Sequence, residues 1–153
     1  MVSFCYTYIM NIIFICHGNI CRSPVAEILC SHLVEQNHLN INVFSRATSR
    51  EEIGNDIYPP MKRVLFNHGY VDEHHCASQI TYKEFMDADV IYYMDSNNLY
   101  HLERLFGQND KFQLISRYSD NMEIEDPWYT DRFEYVYQKI KQAVKGIIEN
   151  IKK

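Results

Sequence analysis

No apolar run in this chain approaches the ~20 residues that a membrane-spanning helix needs. The apolar start, Met1 to Ile15, has no Lys or Arg ahead of it and no small-residue cleavage site, so it does not read as a secretory leader. Its second half makes a better first core strand. Met10 is an alternative start, which sets residues 1–9 apart as an N-terminal extension. The five cysteines, Cys5, Cys16, Cys21, Cys30 and Cys76, are an odd number and cannot complete a disulfide framework. Together with the missing leader this points to a reducing compartment, the cytoplasm. No Cys-x-x-Cys pair and no zinc-spaced Cys/His cluster occurs, and the adjacent side chains of His74, His75 and Cys76 are poorly disposed to converge on one ion. No metal or cofactor is therefore expected. A basic patch is also missing, and the net charge is -5, which argues against a nucleic-acid partner. There is no internal repeat, low-complexity tract or dense acidic tail.

What is present is an ordinary globular balance, 46% apolar and 23% charged over 153 residues, suited to a single domain spanning 1–153. Ile12-Ile13-Phe14-Ile15 reads as a strand buried on both faces. Ser23-Pro24 signals a helix start, with Ser as N-cap and Pro as first helical residue, and Val25, Ile28, Leu29 and Leu33 as the apolar face. Ile41 to Ala47 is a second strand, and Pro59-Pro60 opens a helix that Gly69 ends. Thr81-x-x-Glu84 forms a capping box, and Val90 to Met94 is a third strand. Ser96 caps a helix with Leu99, Leu102, Leu105 and Phe106 inward, and Phe112 to Ile115 is a fourth strand. After an irregular stretch, Arg117 to Thr130, a long helix carries Phe133, Val136, Tyr137, Ile140, Val144, Ile147, Ile148 and Ile151 at helical spacing, with lysines near its end suiting the helix dipole. Strands alternating with helices imply a parallel sheet covered on its faces, with the binding site at the carboxyl ends of its strands.

The segment just after the first strand reads Cys16-His17-Gly18-Asn19-Ile20-Cys21-Arg22-Ser23, a Cys-x5-Arg followed by Ser. The spacing alone is weak, and its setting gives it weight. It lies between a buried strand and a helix N-terminus, where backbone N–H groups lack intrahelical partners and can face an anion. Gly18 and Asn19 tolerate positive φ, so the loop can curl into an anion nest. Arg22 can grip two phosphate oxygens at once. A helix N-terminus and a nearby Arg favour the thiolate of Cys16, the nucleophilic form. Ser23 can donate to that sulfur. The same groups match the charge on a transferring phosphoryl group.

A phosphatase of this design needs an acid for its leaving group. Asp126 in Glu125-Asp126-Pro127-Trp128-Tyr129 is the candidate, on a loop before the last helix that can carry it to the site. Pro127 favours an extended Asp126. Trp128 and Tyr129 can wall a phenyl ring. From these residues alone, a proline turn with partly buried aromatics is an equal reading.

The run Cys16 to Pro24, with Ala26-Glu27 behind it, resembles the low-molecular-weight protein tyrosine phosphatases. Asp126-Pro127-Trp128-Tyr129 is similar to that family's second signature. Ser45-Arg46-Ala47-Thr48-Ser49, Ile53-Gly54-Asn55, His75, Gln79-Ile80-Thr81 and Met94-Asp95-Ser96-Asn97 also match, so the likeness covers roughly residues 10–150. The resemblance implies a three-layer α/β/α fold with a four-stranded parallel sheet and a phosphate-binding loop between first strand and first helix. It implies hydrolysis of phosphotyrosine through a cysteinyl-phosphate, without metal or cofactor. It assigns Cys16 as nucleophile, Arg22 as phosphate clamp, and Asp126 as general acid and then base. Asn19 would hold the loop strained through a network with His75 and Ser45. Cys21 would form a reversible protective disulfide with Cys16 under peroxide. The expected partners are a phosphotyrosine protein or peptide and inorganic phosphate or a similar oxyanion, the chain acting as a monomer.

The sequence departs from the pattern at the substrate rim. Glu51 stands where an aromatic is common, Trp128 where Tyr is common, and Ser78 where a base is frequent. An acid at the entrance could repel acidic phosphopeptides. Three other readings stay open. Arsenate reduction on the same fold needs relay cysteines, and Cys76 stands alone in the middle of the chain with none after it. An arginine phosphatase would carry Thr at Ile20, whose apolar side chain instead suits a phenyl ring. A silent phosphotyrosine binder fits poorly with Cys16, Arg22 and Asp126 together.

Overall fold

The computed structural model describes residues 8–71 and 74–153, so Cys5 and the rest of the extension before Tyr8 lie outside the described residues. Four strands, β1 (Met10–Cys16), β2 (Ile41–Ala47), β3 (Val90–Tyr93) and β4 (Phe112–Leu114), pair in parallel in the order β2-β1-β3-β4. The helices are α1 (Arg22–Gln36), α2 (Pro59–Asn67), α3 (Tyr82–Asp87), α4 (Ser96–Phe106), the short α5 (Pro127–Thr130) and α6 (Phe133–Ile151). A 3-10 turn, Ile115–Tyr118, follows β4.

The continuous apolar run of β1 is explained by its central place. Because side chains alternate across a strand, Ile12, Phe14 and Cys16 enter one core with residues of α1, α2 and α6. Ile13 and Ile15 enter a second core with Phe85 of α3 and Leu102 of α4. Helices thus cover both faces, giving the expected three layers. The chain leaves β1 toward β2 on one side and later returns to β3 on the other. The crevice where the order reverses lies at the carboxyl ends of β1 and β3, the usual ligand position in such sheets.

Local signals mostly act as read. Thr81 Oγ1 accepts from Glu84 N at 3.2 Å while Glu84 Oε1 accepts from Thr81 N at 2.9 Å, a complete capping box. Gly69 takes φ 88 just past α2. Two caps differ. Cys21, not Ser23, is the N-cap of α1, because the Ser23 hydroxyl is engaged with Cys16 and Asn19. Asp95, not Ser96, caps α4, its Oδ1 accepting from Asn98 N at 2.8 Å. Leu105 is 45% exposed rather than inward, because it falls off the stripe that buries Leu102. The last turn of α6 has no base, since Lys152 is already the C-cap. The stretch read as irregular holds the 3-10 turn and α5.

The buried stripe of α6 runs from Phe133 to Ile148. Gly146 lets α6 approach the 3-10 turn: a Cβ there would sit 2.4 Å from the Tyr118 carbonyl oxygen. In an ordinary helix interior Gly→Ala stabilises by about 0.5–1 kcal/mol. Here the clash with backbone reverses the sign. Gly146→Ala should destabilise by about 1–3 kcal/mol, read as a lowered thermal midpoint. A raised midpoint would show that the turn yields.

Candidate active site

Cys16 ends β1, buried, and its sulfur is the centre of the loop that follows. Asn19 N donates to Cys16 Sγ at 3.3 Å, Ser23 N at 3.5 Å, and Ser23 Oγ lies 3.0 Å away. Asn19 adopts φ 60, the left-handed region that Asn tolerates. Gly18 does not share that conformation. It matters instead by lacking a Cβ, which would stand 3.1 Å from Glu52 Cγ.

The strained turn is held by a fully buried Asn19. Its Nδ2 donates to Ser23 Oγ at 2.8 Å and to Ser45 Oγ at 3.0 Å. Its Oδ1 accepts from Ser78 N at 3.1 Å, and its carbonyl accepts from His75 Nε2 at 2.6 Å. That last bond places the proton on Nε2 of His75. Ser45 in turn donates to Glu27 Oε1 at 2.5 Å. Proton direction follows from this chain. Ser45 gives its one hydrogen to Glu27, so it receives from Asn19. Asn19 also gives to Ser23, so the Ser23 hydrogen is left to point at Cys16 Sγ. The adjacent His74, His75 and Cys76 diverge: His75 turns to the loop, while His74 Nε2 lies 3.3 Å from Cys76 Sγ. Among the described residues no group of three His, Cys, Asp or Glu side chains is placed to hold a metal ion.

Arg22, the first residue of α1, is 2% exposed. One guanidinium nitrogen donates to Asp95 Oδ2 at 2.7 Å and to the Ile124 carbonyl at 2.9 Å. The other lies 3.5 Å from Asp126 Oδ2. Both carboxylates are N-caps: Asp95 serves α4 and Asp126 serves α5, its Oδ1 accepting from Trp128 N at 3.0 Å. Burial opposes the charge on Arg22, but Cys16, Asp95 and Asp126 outweigh it and hold the guanidinium more firmly protonated than usual. Burial pushes the Cys21 thiol well above the usual range, and the charges of Cys16 and Asp126 push the same way.

These residues line a cleft of about 150 Å³. Cys16, His17, Gly18, Ile20, Cys21 and Arg22 come from the loop, Glu51 and Glu52 from the segment after β2, and Asp126, Trp128 and Tyr129 from around α5. The structure therefore brings Cys16, Arg22, Asp126, Glu51, Trp128 and Tyr129 to one cleft, while Asn19 and Ser23 of the loop are buried beneath it and Ser78, whose N–H donates to Asn19, is not part of its lining. Ser45 and His75 stand behind the loop. Asp126 needs no long swing, since it already borders the cleft. Trp128 leans on Tyr58, ring centroids 5.0 Å apart, whereas Tyr129 is 83% exposed. Glu51 Oε2 lies 3.0 Å from His17 Nε2.

Three contributors were not singled out from sequence: Asp95, Glu27 and Glu52. A signal existed for Asp95, which follows β3 at the carboxyl edge of the sheet beside β1. Asp95→Asn should test its weight, since Asn caps a helix as well as Asp does. Any loss then reports on the Arg22 pair. Leaving the buried guanidinium short of one charge partner should cost about 3 kcal/mol in a urea titration. A loss within experimental error would mean that Asp126 and Ile124 suffice.

Comparison with known proteins agrees with this geometry. A family model described as low molecular weight phosphotyrosine protein phosphatase matches residues 11–153. The human low molecular weight phosphotyrosine protein phosphatase is 38% identical over 152 residues, covering 91% of this chain and 94% of that protein. The crystal structure of YfkJ from Bacillus subtilis superposes with a TM-score of 0.90 at 27% identity, covering 96% of this chain and 97% of the other. The Drosophila arginine phosphatase superposes with a TM-score of 0.85 at 28% identity, covering 94% and 99%. With Cys16, Arg22 and Asp126 gathered around one cleft, and with this match over nearly its whole length, the chain belongs to the low molecular weight phosphotyrosine protein phosphatase family.

Proposed function

We propose that this protein hydrolyses phosphotyrosine in proteins or peptides, through a cysteinyl-phosphate on Cys16. One observation carries the reading. Cys16, Arg22 and Asp126 line a single cleft, and hydrogen-bond donors already converge on the Cys16 sulfur. The phosphate sits on the loop, with Arg22 binding two of its oxygens in a fork. The Cys16 thiolate attacks phosphorus as the bond to the phenolic oxygen breaks, and Asp126 gives its proton to the departing oxygen. Water then attacks the cysteinyl-phosphate, giving its proton back to Asp126. The S–P bond breaks, and the sulfur leaves as a thiolate that accepts from Ser23 and from the Asn19 and Ser23 N–H groups. Inorganic phosphate is the product and, like similar oxyanions, a ligand of the same loop. None of these steps calls on a metal or cofactor.

The proposal includes action as a monomer in the reducing cytoplasm, with residues 1–153 as one domain and the segment before Met10 as its extension. Among the described residues, no helix is long and apolar enough to cross a membrane. Under peroxide, Cys16 would become a sulfenic acid, and Cys21 would condense with it to a disulfide with release of water. Burial raises the pKa of the Cys21 thiol and disfavours its thiolate, the form that condenses.

A second reading, phosphoarginine as substrate, draws on the structural likeness to the Drosophila arginine phosphatase. Ile20 favours phosphotyrosine. It lines the cleft with an apolar side chain, which suits a phenyl ring better than a guanidinium. Phosphate release from phosphotyrosine should exceed that from phosphoarginine, and the reverse ranking would transfer the assignment.

Cys16→Ser should abolish turnover while keeping orthovanadate or phosphate binding. Residual turnover near the wild-type rate would remove Cys16 as nucleophile. Asp126→Ala should slow phenyl phosphate far more than p-nitrophenyl phosphate, by on the order of a hundredfold against tenfold, because the better leaving group needs less protonation. Equal losses on the two substrates would remove Asp126 as the acid.

A further inference from the structure

The two walls of the cleft differ in charge. One presents the rings of Trp128 and Tyr129, and its carboxylate, Asp126, is turned to Arg22. The other carries two carboxylates in sequence, Glu51 and Glu52. Neither carboxylate swings freely. Glu51 is tied to His17 at 3.0 Å while its side chain stays 68% exposed. Glu52 accepts from Asn55 Nδ2 at 2.6 Å and packs over Gly18, close enough that a Cβ there would press on its Cγ. Fixed charges at a cleft mouth give a field with a definite position, which flexible surface acids do not.

Arg22 does not cancel this field. It is the one Lys or Arg among the lining residues, it lies buried, and it is matched by Asp95 and Asp126. A phosphate dianion arriving on the loop adds negative charge at the floor and leaves the mouth as it was. Arg50 is exposed next to Glu51 in sequence, Arg132 follows α5 by two residues, and the His101 ring lies 6.2 Å from that of His17. Arg132 is engaged with Glu125 at 3.5 Å and lies over the Tyr135 ring at 3.8 Å. His17, half-exposed against Glu51, offsets one carboxylate only when it is protonated.

We propose that the Glu51–Glu52 wall selects phosphotyrosine flanked by basic residues and rejects phosphotyrosine in acidic stretches. The proposal rests on the phosphotyrosine-hydrolase reading and names the substrate class within it. A residue next to the phosphotyrosine lies within ~3.8 Å of it along the chain, so a Lys or Glu there stands at the mouth when the ring is seated. Each exposed charge pair shifts an equilibrium by up to about fivefold. Two carboxylates acting on residues at both sides should then separate Lys-flanked from Glu-flanked substrates by about tenfold in kcat/KM. Such steering fades as salt shortens the Debye length.

The test uses three peptides that share one phosphotyrosine and differ only in having Lys, Ala or Glu on both sides. Phosphate release is measured at about 0.02 M and 0.5 M salt, for wild type, Glu51→Gln and Glu51→Lys. The expected order is Lys over Ala over Glu, with a Lys-to-Glu ratio near ten at low salt. The ratio should shrink at high salt, fall in Glu51→Gln and fall further in Glu51→Lys. A wild-type ratio near one, or one favouring Glu, would overturn the proposal, as would a ratio unchanged in both variants. If no peptide is turned over at all, the phosphotyrosine reading falls, and the flank preference with it. Turnover of all three at equal rates sinks the preference alone.

Discussion

A guanidinium with almost no exposure is expensive to bury, by several kcal/mol if unmatched, and much of this site can be understood as the arrangement that makes Arg22 tolerable. Its partners come from two places in the chain. Asp95 follows β3, and the Ile124 carbonyl belongs to the stretch after the 3-10 turn, at whose end Asp126 opens α5. Each carboxylate uses one oxygen to cap a helix and turns the other to Arg22. The same bonds that make the charge bearable therefore fix its plane and draw the acid segment to the sulfur. Removing a partner is not a local event, because a helix start and the clamp share the same side chain.

Behind the loop a second network performs the corresponding task for the sulfur. Glu27 and His75 lie at its ends, Asn19 at its middle, and every hydrogen has one direction. A backbone turn that Asn adopts only at some cost is thereby held in place. The parallel sheet supplies the frame. Since β1 is central, Cys16 leaves it into a crevice bordered by β3, and the segment after β2 adds the rim.

The elements were legible where one local cause decides them. The apolar run of β1 needs two buried faces, Thr81 and Glu84 form their own closed pair of bonds, and α6 shows its stripe over five turns. The caps at Ser23 and Ser96 were misplaced by one or two residues for a physical reason. A serine hydroxyl caps a helix only when nothing stronger claims it, and Ser23 is claimed by Cys16 and Asn19. At α4 the carboxylate of Asp95 takes the position one residue earlier. The loop was legible because Cys16 and Arg22, the proposed nucleophile and clamp, lie on one continuous turn. Asp95 was legible only as a place, at the carboxyl end of β3 in a matching stretch; its role was not, because it meets Arg22 across 73 residues of sequence. Glu27 was hidden differently: it sits on α1 like any helical acid, and only the approach of β2 gives it Ser45.

Ile124 adds one more consequence. Its N–H donates to the Met94 carbonyl and its own carbonyl accepts from Arg22, so the chain is pinned on both sides of that residue. Asp126 follows two residues later and is itself followed by the fixed φ of Pro127. The tether from anchor to acid is at most ~7 Å of extended chain. On the proposed mechanism, proton delivery from Asp126 needs only torsions of one side chain and two peptide units, motions far faster than the microsecond-to-millisecond closure of a lid. On that mechanism no slow closure of a lid need precede bond making at phosphorus.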